Sequence, residues 1–435
     1  MRHAGRWTLM AVILLAAAAT SDAQTAPAER SDVAIVLEIQ QLLIPNRQVD
    51  DPVLRDKMLL KDLRKIPALM ATFESKHAAS RHRPLAWSLA VNALALRRRI
   101  GDPTVTTDAI IQAAKTLVAS STQARYQAQG RLVILEVTAD EALALALKTP
   151  TTATASSRPA ATQAARVRYK KMAGAYAGQF VRFADRYGKT TFAPPALYNA
   201  GSMYLEAGRE NDAVAAFDRL SRDYAKDPLA LQALMVLVQL HARAGRADKA
   251  LAAKRRCVQN FENSSAATKY RADIAQAECL GKPFFLRFRS VRGRKFDVCD
   301  HRKKTVLVYF YALVSEEGLT ERVTGTMADL GQLAQQTGCV LVAVGADEKT
   351  RTKKVAAILD AAKIDTTNLL DPEGKVATQY GVLFVPAVAV VAPGGKLKAI
   401  VTHADIVPAV RKALGAAASR PASRPASRPA TAPAK

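Results

Sequence analysis

At 435 residues, 49% of them hydrophobic, the chain is too long for one ordinary domain and holds enough apolar material for two or three cores. Its formal net charge of +25 favours acidic partners, but no nucleic-acid recognition motif accompanies the charge, so a solvated basic surface or contact with anionic envelope material is expected instead. The six histidines show no pairing at metal-ligand spacing; neither a zinc site nor any cofactor is predicted.

Residues 1–23 carry Arg2 and Arg6, an apolar run from Leu9 to Ala19, and Ser21-Asp22-Ala23 with small residues at both recognition positions. An apolar core that short, followed by a cleavage pattern, reads as a secretory signal peptide, which would place the mature chain in the periplasm or cell envelope. An uncleaved N-terminal anchor is the alternative.

Residues 31–148 are helical by period, as helical hairpins of an α-solenoid. Ala34, Leu37, Ile39 and Leu42 form one apolar stripe; Leu85, Leu89, Val91, Leu94 and Leu96 lie in a second helix, and Ile110 to Val118 in a third. Asp51-Pro52 and Asp102-Pro103 mark helix starts, since Asp caps free N–H groups and proline suits a first turn. Residues 149–163 (Thr149 to Thr162, TPTTATASSRPAAT) form a low-complexity link too poor in large apolar groups to order itself, and the SRPA repeats of residues 416–435 a disordered tail.

Between 164 and 280 the helical pattern repeats. Sliding the chain by 37 residues sets Gly208 on Gly245, Ala213 on Ala250, Leu220 on Cys257 and Tyr224 on Phe261. The first copy, LYNAGSMYLEAGRENDAVAAFDRLSRDY, resembles the tetratricopeptide repeat, in which Gly201 and Ala213 let two helices approach while Tyr204 and Phe217 fill the gap. The resemblance implies a surface for a protein or peptide partner.

From Gly281 the period changes to alternation, with a hairpin around Gly293 and then a buried strand Thr305 to Tyr311. A helix to about Thr337, a strand Cys339 to Val344, a helix Thr352 to Ala362, strands Ala387 to Val391 and Leu397 to Val401 and a closing helix Ala404 to Leu414 follow. With LLDPEGKVATQYGVLFVPAVAVVAPGGKL as its strongest passage, the segment 281–415 resembles the thioredoxin-like superfamily, specifically TlpA-type thiol-disulfide oxidoreductases and peroxiredoxins of the redoxin group. The expected fold class is therefore an α-helical solenoid followed by a thioredoxin-like α/β domain with a central mixed sheet. By resemblance, Val385-Pro386 carries a cis proline facing the active site.

The reacting positions are substituted. In the TlpA pattern the Cys-x-x-Cys falls on Ser315 to Gly318; in the peroxiredoxin pattern Tyr309-Phe310-Tyr311 matches but the peroxidatic cysteine falls on Leu319. Either chemistry needs a thiolate at a helix N-terminus, so redox catalysis at Ser315, Gly318 or Leu319 is not expected, and Glu316 and Glu317 read as first-turn residues. Four cysteines allow three full connectivities. Cys257 takes a buried leucine's place, and Cys257 and Cys279 would be offset by roughly 13 Å along antiparallel helices. Cys299 and Cys339 both fall near the N-terminal edge of the expected sheet, so a Cys299–Cys339 disulfide is the preferred pairing, ahead of two free thiols and of a relocated redox pair.

These readings favour a non-catalytic binding or scaffolding module of the cell envelope. The enzymatic rival is a thiol-disulfide oxidoreductase or peroxiredoxin-like antioxidant protein using Cys299 or Cys339; a third reading is attachment to an anionic envelope surface through the basic stretch Arg287 to Lys304.

Overall fold

The structure is a computed structural model that describes residues 27–45, 50–148, 158–312, 317–346, 352–361, 363, 366–371, 373–402 and 405–415. The signal-peptide segment 1–23, the link as far as residue 157 and the tail 416–435 lie outside the described residues. No helix among those described is long and apolar enough to cross a membrane. The chain divides into two compact units, residues 1–253 and 254–435.

The first unit is helical: α1 (Pro27–Leu42), α2 (Pro52–Leu63), α3 (Ile66–His77), α4 (Arg83–Arg99), α5 (Thr107–Ser120), α6 (Ala124–Leu147), α7 (Arg158–Arg186), α8 (Ala193–Glu206), α9 (Glu210–Asp223), α10 (Pro228–Arg243) and the first half of α11 (Ala247–Asn260). From α3 to α10 each helix packs against the next, the nearest-neighbour pattern of a solenoid. Three sequence expectations are corrected. In α1 the buried apolar positions are Val36 and Ile39, one helical turn apart, while Ala34 and Leu37 face solvent. Helix α7 begins at Arg158, inside the expected flexible link: Pro159 is tolerated in a first turn and the alanines after it favour helix.

The third concerns the aspartates. Asp51 does cap α2, accepting the Val53 N–H at 2.8 Å. Asp102 caps nothing; α5 starts five residues later, capped by Thr106, which accepts the Ala109 N–H at 3.1 Å. The Asp102 side chain is instead enclosed between two guanidiniums, as described below.

The hairpins α8/α9 and α10/α11 repeat one backbone device. Gly208 and Gly245 both have positive φ (76° and 67°), and Arg209 N and Arg246 N donate to the carbonyls of Tyr204 and His241, each at 2.8 Å. Gly201 lets α8 and α9 approach closely in the first hairpin, because a Cβ there would lie 2.6 Å from Cζ of Phe217. Leu220 and its counterpart Cys257 are both fully buried.

The second unit contains the rest of α11, then α12 (Ser265–Cys279), β1 (Arg287–Arg289), β2 (Lys295–Asp297), a 3-10 turn (Val298–His301), β3 (Val306–Tyr311), α13 (Glu317–Thr337), β4 (Val340–Gly345), α14 (Thr352–Ala361), β5 (Thr367–Leu370), α15 (Lys375–Gln379), β6 (Ala387–Val391), β7 (Leu397–Val401) and α16 (Ile406–Leu414). β1 and β2 pair alone as a hairpin; the others form one mixed sheet in the order β5-β4-β3-β6-β7, with β3, β4 and β5 parallel and β6 and β7 antiparallel. All six residues of β3 are buried, as the central strand of a sheet covered on both faces must be. Val306, Val308 and Phe310 enter a core with the β1–β2 hairpin, Val376 and Tyr380, whereas Leu307, Tyr309 and Tyr311 meet Met327 and Leu330 of α13 and Val410 of α16. This is the thioredoxin-like architecture expected from the sequence.

Helix α12 belongs to this unit, so its compact boundary lies upstream of Gly281. Gly381 (φ 70°) presses against it so closely that a Cβ would lie 2.3 Å from the Ala272 carbonyl oxygen. Gln276 Nε2 donates to the Gly381 carbonyl at 2.7 Å, and the Cys279 thiol donates to that of Gln379 at 3.6 Å.

Candidate functional site

The C-terminal ends of the parallel strands are where an open α/β sheet of this kind places a ligand. Tyr311, Gly345 and Leu370 align there by register. Gly345 is closely packed: a Cβ would lie 3.0 Å from the Tyr311 ring and 3.1 Å from Leu370. The Tyr311 hydroxyl donates to Asn368 Oδ1 at 3.3 Å, and Asn368 Nδ2 donates to the Thr366 carbonyl at 2.7 Å, which satisfies a buried amide under the sheet edge. Asp371, also buried, accepts the N–H groups of Val376 and Ala377 at 2.9 and 3.1 Å and so anchors the first turn of helix α15. Tyr309, on the α13 side, is buried, and that burial pushes its hydroxyl up to about 12.

Around this edge the sequence-derived positions separate. Ser315 lies outside the described residues. Gly318 and Leu319 fall in the first turn of α13, where a thiolate would be stabilised by free N–H groups had one been present. No cysteine occurs anywhere between Cys299 and Cys339. The Val385–Pro386 peptide bond is cis, immediately before β6. Ahead of it, Leu383, Phe384 and Val385 are exposed, Phe384 by 72%. The sequence pattern singled out Val385, with Pro386, but not Leu383 or Phe384.

The expected Cys299–Cys339 disulfide is absent, and all four cysteines are free thiols. The sheet itself is the reason. Cys299, on the 3-10 turn, packs against the core that holds Val306 and Phe310, and Cys339 against the core on the other face. Arg302 Nη2 donates to Cys299 Sγ at 3.6 Å and the Thr337 hydroxyl to Cys339 Sγ at 3.1 Å. Cys339 immediately precedes β4, whose six residues at ~3.3 Å each put it about 20 Å from the C-terminal edge of the sheet, and Cys299 likewise precedes β3. Cys257 is fully buried, and that burial pushes its thiol up, away from reactivity.

In the basic stretch Arg287 to Lys304, Arg287 is paired with Asp297 at 2.7 Å, while Lys303 and Lys304 are exposed. Among the described residues no group of three or more His, Cys, Asp or Glu is arranged to hold a metal ion.

Residues 282–400 match the AhpC/TSA family. Among solved structures, the chain is similar to the thioredoxin domain of a thiol-disulfide oxidoreductase from Bacteroides vulgatus, at 19% identity over 31% of this chain and 96% of that one, with a TM-score of 0.26. It is similar to a secreted Mycobacterium tuberculosis disulfide oxidoreductase homologous to E. coli DsbE (15% identity, 30% and 96% covered, TM-score 0.25) and to StoA from Bacillus subtilis (11%, 31% and 98%, TM-score 0.26). No curated protein matches the chain. The family match, confined to the sheet unit, and the strand order together make the C-terminal domain a thioredoxin-like domain of the redoxin type.

Proposed function

We propose that the chain is an exported binding or scaffolding protein of the cell envelope, in which the thioredoxin-like domain holds polypeptide without exchanging thiols. One observation carries the reading: the strand, helix and cis-proline loop of the domain are kept while no cysteine stands between Cys299 and Cys339. Disulfide exchange and peroxide reduction both begin with a thiolate, and neither a serine nor a leucine supplies one. The exposed Leu383-Phe384-Val385 run offers extended polypeptide an apolar contact. The tetratricopeptide-like hairpins add a partner surface, and the residue pattern of 1–23 supports export. Attachment to anionic envelope material through Arg287 to Lys304 would accompany this role and weaken as salt rises.

The test is in two parts. The full chain is expected to show no cysteine-dependent turnover in insulin-reduction and peroxidase assays, and to bind reduced, alkylated insulin B chain with an affinity that Phe384→Ser lowers several-fold. Turnover that disappears in Cys299→Ser or Cys339→Ser would replace this reading with the enzymatic one. Unchanged binding by Phe384→Ser would remove the loop from it.

A further inference from the structure

Away from the sheet unit, helices α3, α4 and α5 enclose a cleft of about 380 Å³, within the range of small-molecule sites. Its room comes from small side chains where larger ones would close it. Ala90 and Ala93 of α4 and Ala113 of α5 line the floor, Met70 of α3 forms one wall, and Ala71 stands exposed at the rim. Along α4 the cleft runs from Trp87 to Arg97, about 15 Å at the helical rise of ~1.5 Å per residue.

The two ends differ in charge. Glu74 and Arg97 are the charged residues in the lining. At the Trp87 end, Glu74 accepts the indole N–H at 2.6 Å and is clamped by Arg83 at 2.9 Å, so that end is neutral. At the other end Asp102, its side chain wholly shielded from solvent, serves two guanidiniums at once: Arg97 Nε at 2.9 Å and Arg64 Nη2 at 3.2 Å. One carboxylate between two arginines leaves this cluster one positive charge in excess, with Arg97 in the lining of the cleft and Arg64 half-exposed beside it. Near low-dielectric walls that charge attracts an anion more strongly than it would in open water.

We propose that this cleft binds a free long-chain carboxylate, with its alkyl chain lying along Ala90 and Ala93 and its head group at Arg97. A neutral chain would leave the excess charge uncompensated. A cationic one would be repelled. Binding is independent of the C-terminal domain and of the function proposed for it.

Isothermal titration of the full chain with dodecanoate, below its micelle concentration, tests the site. The expected result is saturable binding at one equivalent. Dodecanol and dodecyltrimethylammonium should each bind at least roughly tenfold more weakly, and octanoate roughly tenfold or more weaker through its lost methylenes. Ala71→Trp places a bulky ring at an exposed rim position where folding is not at stake, as circular dichroism would verify, and should abolish the saturable phase. No dodecanoate binding, equal binding of the cationic amphiphile, uptake of many equivalents without saturation, or full affinity in Ala71→Trp would each overturn the proposal. Competition by a helical peptide in place of dodecanoate binding would assign the cleft to a protein partner and overturn it equally.

Discussion

Replacing Gly201 by alanine should destabilise the helical unit, although the same change in an ordinary helix stabilises. Glycine in a helix interior costs about 1 kcal/mol relative to alanine, so propensity alone favours the variant. Against this, the new methyl would lie 2.6, 2.7 and 2.9 Å from three atoms of the Phe217 ring, where carbon atoms settle at about 3.5–4.0 Å. The ring has little freedom to retreat: Phe217 is 1% exposed and meets the Tyr198 ring edge-on at 5.6 Å. Overpacking of this kind costs about 1–3 kcal/mol, so a net loss of about 1 kcal/mol is expected, or about 2–4 °C in melting temperature for a unit of this size. Urea unfolding followed by far-ultraviolet circular dichroism measures it. A double-mutant cycle isolates the cause, because in a Phe217→Leu background Gly201→Ala should become stabilising by about 0.5–1 kcal/mol. If Gly201→Ala raised stability in the unmodified chain, or changed it equally in both backgrounds, close approach of α8 and α9 would not explain the glycine.

Three further expectations follow from other sites. Gly381→Ala combines a residue strained at φ 70° with a Cβ 2.3 Å from the Ala272 oxygen, so at about 1–3 kcal/mol for each effect α12 should lose amide hydrogen-exchange protection; unchanged protection would contradict the described docking. Hydrogen bonding from Arg64 above all, with Thr104 and Arg97, holds the Asp102 carboxyl well below the usual carboxylate range, and Arg83 lowers that of Glu74. Such depressed values give stability that is present above the unfolded carboxylate pKa of about 4 and is lost as pH falls below it, so the urea midpoint of the helical signal should drop between pH 5 and pH 3, less steeply in Asp102→Asn. Thiol titration of the unreduced chain should find all four cysteines free after unfolding, with Cys257 unreactive beforehand; two missing thiols would restore the disulfide.

Much of the sheet domain was legible because its information is local. The run Thr305 to Tyr311 has the continuous apolar character of a strand buried on both faces, and β6 and β7 fall where alternation and the Pro393-Gly394-Gly395 turn put them. What misled was long-range. Cys299 and Cys339 share a sheet edge, as their positions before β3 and β4 imply, but which face each side chain takes depends on packing that spacing does not encode. Asp102-Pro103 has the signature of a cap, yet the Asp102 carboxylate takes Arg64 and Arg97 together with the Thr104 N–H, which precedes helix α5, and caps no helix. The exposure of Phe384 was likewise hidden, since a hydrophobic residue next to a strand reads as core until its neighbours are placed.

The docking of Gly381 on α12 also bears on how this domain is cut from its chain. A fragment begun at residue 282, where the family match starts, would discard α12. The Gly381 carbonyl would lose the Gln276 amide, and the flank of the turn that the helix shields would be laid open. Here the segment shared with a family is shorter than the compact unit that contains it. A helix placed between the repeats and the sheet has become part of the wall on which the tyrosine-glycine-valine turn is built, and an excised domain would have to carry it along.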